Sequence, residues 1–348
     1  MTQQEIHADT SNHQIDRIFG SLESAGFPRS IQNVLLPEWV TPEVLSDTSA
    51  SLEIAAILAK RLGLRTSPLF DASPRVESLR RRDVKYKRSI PNKAKNLTAS
   101  TAIAVSVAES VASACGVGFI PFVSTANALR QEVLTSFPGN WLGLRNLLLF
   151  CWSHGVPVIY LAELGIGVAK MDGMVIHTDS RPVIILSKAS PLWAWQLFIL
   201  AHEVAHLALG HVAPNEILID EELSEDSYAL KDADLDERTA DAFAIELLNA
   251  RPDATYIPSD SHINFRELAD SAFRFGKNQH IDPGHIVLNF ANQSGKWEMG
   301  IAAAKVLQGE HPPAPVIINE AMWGQINPET LPMETLEFLG RVTGSNLE

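Results

Sequence analysis

Apolar and polar residues follow two different periods along this chain. Up to position 154, apolar residues recur every three or four positions, which predicts amphipathic helices. Between 156 and 187 they form short runs rich in Val and Ile, which predict strands, and Asp172-Gly173 predicts a hairpin turn between two of these strands. From 191 onwards the helical period returns. The helices predicted before the strands are 13–25, 51–62, 98–114 and 141–154, and the strands joined by the turn are 167–171 and 174–177.

The most apolar helix is predicted at about 191–209. Ser190 and Pro191 are typical of a helix start, and Gly210 is typical of a helix end. Apolar residues cover almost the whole circumference of this helix, so we expect it to be buried at the centre of the fold. The pattern therefore predicts an α+β fold that is mainly helical, with a small antiparallel β-meander of three or four strands packed on the central helix.

Changes in composition predict three regions. They are a helical N-terminal region at 1–95, a central domain at 96–290 and a C-terminal helical extension at 291–348. In the first region, 55–64 resembles the first helix of a helix-turn-helix, which would allow DNA contact through 1–95, although any amphipathic helix that ends at Gly63 has this pattern. Basic residues crowd the linker 75–95, which predicts contact with phosphate groups or an acidic partner, or a solvated linker.

The overall charge and the cysteine content narrow the class of protein. The formal net charge is −13, which argues against unspecific nucleic-acid binding over the whole surface. Cys115 and Cys151 form no CxxC pair, and the first residues have neither the basic nor the apolar part of a signal peptide. We therefore expect a cytoplasmic protein without a disulfide framework. The segment 97–120, rich in small residues, is expected to be a core helix and not a membrane span.

The central helix contains the sequence His202-Glu203-Val-Ala-His206. Residues four apart in a helix lie on one face, about 40° apart in projection, so both imidazoles can reach one metal ion. Glu203 then lies beside the water that such an ion binds, where it can act as a general base. His211 is about 180° from His202 if the helix continues, so we expect it to point away and to be structural.

A third metal ligand is expected from a helix predicted at 236–248. Glu237 and Asp241 lie one turn apart on one edge of this helix, so Glu237 can bind the metal while Asp241 accepts the far N–H of a ligand histidine. Two alternatives stay open at this point. Acidic residues are common at any helix start because the helix dipole favours them, and Glu246 offers a second carboxylate on a different face.

The stretches 197–211 and 237–248, with the strand and the Ser-Pro step before the central helix, resemble the ImmA/IrrE family of metallopeptidases. The resemblance implies a zincin-like core of the gluzincin type that binds Zn²⁺. It also implies an endopeptidase that cleaves a regulatory protein, such as a repressor or an antitoxin-like partner, in stress response or mobile-element control. The expected partner is a helix-turn-helix regulator encoded nearby.

In this scheme His202, His206 and Glu237 bind the zinc ion, Asp241 supports a ligand histidine, and Glu203 is the catalytic residue. Glu203 takes a proton from the attacking water and passes it to the leaving amine. The strand 183–186 is expected to be an edge strand that binds substrate backbone by strand addition. The candidate oxyanion donors, each of which a structural role also explains, are Tyr228, His177 and His285.

Two further points stay open at the level of sequence. The acidic stretch 216–236 fits a mobile lid, a selector of basic substrate segments or a solvated loop. A different class of function also fits the chain, namely a transcription regulator or toxin–antitoxin component that binds DNA or protein through 1–95. The metal site would then be structural or residual.

Overall fold

The computed structural model describes residues 3–71, 73–79, 83–87, 97–162, 164, 171–220, 235–257 and 263–345. The N-terminal elements are α1 Gln3–Ser24, α2 Arg29–Leu35, α3 Pro42–Leu45, α4 Ser51–Leu62 and β1 Asp83–Lys87. The central elements are α5 Thr98–Ala114, α6 Ala126–Ser136, α7 Leu144–Ser153, β2 Val158–Tyr160, β3 Gly173–His177, β4 Pro182–Leu186, α8 Trp193–Ala208, β5 Glu216–Asp220 and α9 Leu235–Asn249. The last elements are α10 Phe265–Gln279, α11 Pro283–Ser294, α12 Trp297–Gln308, α13 Ala314–Gln325 and α14 Met333–Thr343.

The described strands form one five-stranded sheet in the order β1-β5-β3-β4-β2. Strand β3 is antiparallel to both β4 and β5, whereas β2 is parallel to β4 and β1 is parallel to β5. The mainly helical α+β class is confirmed, but the sheet is mixed and not an antiparallel meander. The reason is that the segment before α8 returns to the sheet beside β2, and a basic segment far earlier in the chain adds the outer strand β1.

Both faces of the sheet are covered by helices, which explains why its strands are apolar at consecutive positions. On one face Met174, Ile176 and Ile185 belong to a core formed with α1, α2, α4, α5 and α14. On the other face Val175 and Ile184 pack in a second core with α6, α7, α8 and α9. The N-terminal and C-terminal helices therefore share one core with the sheet, and the three-region division of the chain stays a prediction.

The N-terminal helices follow the predicted pattern only in part, because α1 begins ten residues before the predicted helix 13–25, and α2 and α3 were not predicted. Helix α4 confirms the predicted amphipathic helix, and it ends at Gly63, whose φ of 63° is the left-handed conformation that a C-terminal glycine adopts. The following residues form a short 3₁₀ turn at Ser67–Phe70 and not a second helix. Within 64–71 the chain thus lacks the recognition helix that the motif would need, and DNA contact through 1–95 stays a prediction.

The basic linker contains the edge strand that the sequence did not predict. Residues Asp83–Lys87 pair in parallel with Glu216–Asp220, and Nζ of Lys85 lies 2.8 Å from Oε2 of Glu216. Part of the acidic stretch is therefore strand β5, while its residues 221–234 lie outside the described residues. The predicted strand 167–171 also falls mostly outside them. Across the part of the chain that the structure describes, no helix has the length and apolar character needed to cross a membrane.

Candidate metal centre

Helix α8 places the motif at the centre of the molecule. It begins at Trp193 after Leu192, two residues later than predicted, and its residues are buried almost all round, including His202, Glu203 and His206. Its packing explains this burial, because the sheet lies on one side of α8 and α7, α9 and α11 lie on the others, so no face of it is left for solvent. The all-round apolar character of its sequence fits this position. Three ionisable side chains are thus held in a low-dielectric interior.

Helix α9 packs along α8 and supplies the third group. Glu237, in the first turn of α9, is fully buried although it is a carboxylate. Its Oε1 lies 3.5 Å from Nε2 of His206 and its Oε2 lies 3.6 Å from Nε2 of His202. The two Nε2 atoms are 2.9 Å apart. The structure therefore brings His202, His206 and Glu237 together, with one ligand atom of each within 4.8 Å of the others.

These separations fit a metal ion of the size of zinc. Two ligands bound at about 2.0–2.1 Å to a tetrahedral ion lie about 3.3 Å apart. The two Nε2 atoms are 2.9 Å apart, and each lies 3.5 or 3.6 Å from a different oxygen of Glu237, so these distances lie on both sides of this value. With one ligand atom taken from each residue, all three atoms lie within 4.8 Å of one another. Two imidazoles and one carboxylate are also a donor set of catalytic zinc sites, which keep the fourth position for water. The residues present therefore fit the ion that the family resemblance implies.

Asp241 lies behind His202. Its Oδ1 is 2.9 Å from Nδ1 of His202, one helical turn after Glu237 on α9. A carboxylate oxygen only accepts, so a hydrogen bond between these two atoms requires the proton on Nδ1. The other ring nitrogen, Nε2, then presents its lone pair towards Glu237 and His206. The predicted pairing of Glu237 and Asp241 on one edge of the helix is thus the observed geometry, although their roles stay predictions.

His211 has a similar position behind His206, which the sequence did not predict. Its Nδ1 lies 3.0 Å from Nδ1 of His206, and its Nε2 lies 3.4 Å from Oγ1 of Thr239. The expectation that His211 points away is wrong, because α8 does not continue. Gly210 has a φ of 72°, and the N–H groups of Gly210 and His211 bond back to the carbonyls of Leu207 and His206. This Schellman motif turns the chain back over the last helical turn.

The position of Glu203 follows from its place on α8. It is next to His202 in the same buried turn, and it is fully shielded from solvent. Electrostatic interactions of this carboxylate are stronger there than in water, because the surroundings screen them less. The arrangement has the parts needed for hydrolysis, namely a metal-ligand set and a neighbouring carboxylate that can carry a proton.

Of the remaining candidates from the sequence, those that the structure describes are not part of this group of ligand atoms. Glu246 accepts a hydrogen bond from Nδ2 of Asn127 at 2.7 Å on another face of α9. Gly173, the first residue of β3, lies against Glu203, and His177 is at the other end of this strand, about 13 Å away at the rise of a strand. His285 is fully buried and stacks on Phe198, and burial lowers its pKa to about 3. Tyr228 lies outside the described residues.

Strand β4, which was expected to be an edge strand that binds substrate, is an internal strand of the sheet. Strand β4 pairs with β3 on one side and with β2 on the other, so its backbone groups are already used. The described edges of the sheet are β1 and β2. β4 is internal because β2, an earlier segment of the chain, pairs in parallel with its outer side, and the pattern of residues within β4 does not reveal this neighbour.

Comparison with known proteins gives one match. Residues 151–258 match the model of a peptidase family whose description is IrrE N-terminal-like domain. This segment contains α8, α9 and the whole cluster of His202, His206 and Glu237, so the match and the geometry concern the same part of the molecule. Neither the curated proteins nor the solved structures gave a match.

Proposed function

Since residues 151–258 belong to the ImmA/IrrE family, we propose that this protein is a zinc-dependent endopeptidase that cleaves a regulatory protein. The observation that supports the proposal most directly is the convergence of three buried ligand atoms, from His202, His206 and Glu237, beside a buried Glu203. A site that only stabilised the fold would need the ligands but would have no use for a further carboxylate in the same helical turn.

The three ligands would hold Zn²⁺, which when bound supplies Lewis-acid polarisation of a peptide carbonyl and a more acidic water. Glu203 accepts the proton of the attacking water and delivers it to the leaving amine. Asp241 accepts the Nδ1 proton of His202, which fixes the tautomer and the orientation of that ring. The surrounding helices exclude bulk water, so the carboxylate acts in a site of low dielectric constant.

The finer identity of the substrate rests on the family resemblance. We propose that it is a helix-turn-helix repressor or an antitoxin-like protein encoded nearby, which would place the reaction in stress response or mobile-element control. Since the three ligands and Glu203 are fully buried, a substrate segment has to gain access by a rearrangement of the chain around them. Such a requirement suits a regulatory peptidase that is silent until a signal opens the site.

Metal content tests the first part of the proposal. The purified protein should contain about one zinc ion per chain by mass spectrometry of the elements. His202→Ala and Glu237→Ala should each lose most of it, because two remaining ligands bind zinc weakly. Glu203→Gln should keep it, since Glu203 is not one of the three converging ligands. A protein without stoichiometric metal would refute the scheme.

Cleavage tests the second part. The protein is co-expressed with the helix-turn-helix regulator of a neighbouring gene, and new N-termini are mapped by mass spectrometry across the proteome. Glu203→Gln should remove the cleavage products or slow their formation about 10²–10⁴-fold, the range in which a general acid–base residue contributes. Glu246→Gln is the matched control, because it makes the same chemical change on α9 away from the site.

Three outcomes are distinguishable. Products with the wild type and Glu246→Gln, but not with Glu203→Gln, support the endopeptidase. Products that form at the wild-type rate with Glu203→Gln refute the role of Glu203. Full metal content without any new N-terminus favours the alternative class, a DNA- or protein-binding regulator with a structural metal site.

A further inference from the structure

The backbone of β3 lies directly against the carboxylate of Glu203, and this is where Gly173 stands. A Cβ atom built on Gly173 would be 1.9 Å from Oε1 of Glu203, 2.8 Å from its Cδ and 3.1 Å from Cγ2 of Ile199. Contacts of this kind are about 3.5 Å or longer at optimal separation. With Glu203 in its present position, only glycine fits at 173, because any side chain there would collide with the carboxylate.

The conformation of Gly173 does not require glycine. Its φ is not among the positive φ values of the described glycines, which are found at the ends of helices and turns. A glycine inside a strand weakens the strand, because it has more freedom to lose and no side chain to pack. Space for the carboxylate is therefore the physical reason for glycine at this position.

The strand cannot move away to make room for a larger residue. Gly173 is opposite Leu186 on β4 and Asp220 on β5, so it is held from both sides in the middle of the sheet. The turn before it is also fixed, since N–H of Ser187 donates to the carbonyl of Asp172 at 3.1 Å. From the other side, α8 is enclosed by helices and cannot retreat.

We propose that Gly173 is a positioning residue that fixes the carboxylate of Glu203 for proton transfer. The proposal rests on the proposed function, because it assigns a purpose to the place of Glu203. The central strand acts as a rigid surface, and the missing side chain at 173 provides the space in which the carboxylate lies. Any side chain at 173 displaces the carboxylate, because the atoms nearest to its Cβ belong to Glu203 and Ile199 and not to a metal ligand.

A double-mutant cycle of stability tests the contact without any substrate. Urea midpoints are measured for the wild type, Gly173→Ala, Glu203→Ala and the double variant. Gly173→Ala should lower the midpoint, and Glu203→Ala should restore most of this loss in the double variant, because the colliding carboxylate is gone. If Gly173→Ala does not fold, recovery of folding in the double variant gives the same answer.

Gly300 offers a matched control. A Cβ atom at Gly300 would be 2.5 Å from Cβ of Ala291, in the packing of α12 on α11, and the atoms nearest to it belong to Ala291 and Val287 and not to Glu203. Gly300→Ala should also lower the midpoint, but Glu203→Ala should not restore this loss. Equal loss in Gly173→Ala with and without Glu203→Ala would overturn the proposal, since the collision would then lie elsewhere.

Kinetics test the positioning role on the substrate found by the cleavage experiment. Gly173→Ala should keep full metal content and lower kcat on the order of 100-fold, the effect of a misplacement of about 1 Å, with KM little changed. In the Glu203→Gln background, Gly173→Ala should have no further effect on the residual rate, because both changes remove the same proton transfer. If Gly173→Ala instead caused a general structural defect, it would lower the rate in the wild-type background and also the residual rate in the Glu203→Gln background.

The two arms separate the possible failures. If the wild type cleaves nothing, the proposed function fails, and the stability cycle still decides whether Gly173 and Glu203 are in contact. If Gly173→Ala cleaves at the wild-type rate, Gly173 does not position the carboxylate, and the proposal of this section is refuted while the endopeptidase stands. Gly324→Ala, where a Cβ atom meets nothing within 4 Å, should be as active as the wild type.

Discussion

Removal of the Asp241 carboxylate should weaken zinc binding without removing a ligand. Oδ1 of Asp241 lies 2.9 Å from Nδ1 of His202, so it holds the proton on that nitrogen and the lone pair on Nε2 towards the other ligands. In Asp241→Ala the ring is free to rotate and to take the other tautomer. In the variant, metal binding therefore has to order the ring of His202, which costs free energy and weakens the binding.

The size of the effect follows from the exposure and charge of this contact. Loss of a partner that orients a metal ligand weakens metal binding about 10- to 100-fold. The side chain of Asp241 keeps 16% of its surface exposed, so water can replace part of the bond. We therefore expect about 10- to 30-fold for Asp241→Ala, or about 1.4–2 kcal/mol.

Asp241→Asn separates the charge from the hydrogen bond. The amide keeps an acceptor oxygen at the same place but loses the negative charge. Charge-assisted hydrogen bonds are roughly twice as strong as neutral ones. Asp241→Asn should therefore lose about half of the free energy of zinc binding that Asp241→Ala loses, which corresponds to a zinc affinity about 3- to 5-fold lower than that of the wild type.

Competition with a chromogenic zinc chelator measures these affinities at fixed pH. Glu246→Ala and Glu246→Gln make the matched changes on the same helix, at a carboxylate that bonds to Asn127, and both should leave the affinity unchanged. An Asp241→Ala protein that is folded by circular dichroism and binds zinc as tightly as the wild type would refute the reasoning. Equal weakening in the Glu246 variants would do the same.

Three other predictions concern groups outside the ligand set. His211→Ala should weaken zinc binding about 10-fold in the same competition, because Nδ1 of His206 loses its partner at 3.0 Å. Burial lowers the pKa of His285 to about 3, so the folded protein keeps this ring neutral while the unfolded chain protonates it near pH 6.5. The free energy of unfolding of the wild type should therefore fall by about 1.4 kcal/mol per pH unit, relative to His285→Leu, as the pH falls from about 6 to 3. Parallel urea unfolding curves of the two proteins that do not diverge in acid would contradict this. Arg61→Met should lower the free energy of unfolding by about 2–3 kcal/mol in urea denaturation, since this buried guanidinium donates to the carbonyls of Leu35 and Glu334, whereas the exposed Arg65→Met should change it by less than about 0.5 kcal/mol.

Local patterns predicted the helices that carry the site. The all-round apolar character of α8 and the spacing of His202, Glu203 and His206 depend only on helical geometry, which is the same in every protein. The pairing of Glu237 with Asp241 on one edge of α9 follows from the same period. The structure brings these residues together, and their catalytic and ligand roles stay predictions that the experiments above test.

Errors arose where the chain stops being regular. The position of His211 was predicted for a continuing helix, but Gly210 adopts a positive φ and the Schellman motif returns the chain over His206. Strand β4 was predicted as an edge because its neighbours could not be known. The strand β1 was missed because its residues are basic and appear as a linker until they pair with β5.

The sequence by itself determined which side chains could form a metal site, because the residue types and their helical spacing are local properties of α8 and α9. Tertiary structure alone decided which side chains surround that group. The contact of Asp241 with His202, the return of His211 to His206 and the collision that excludes a side chain at Gly173 join residues from different elements. Such distances depend on how helices and the sheet pack against one another, which no local pattern of residues specifies.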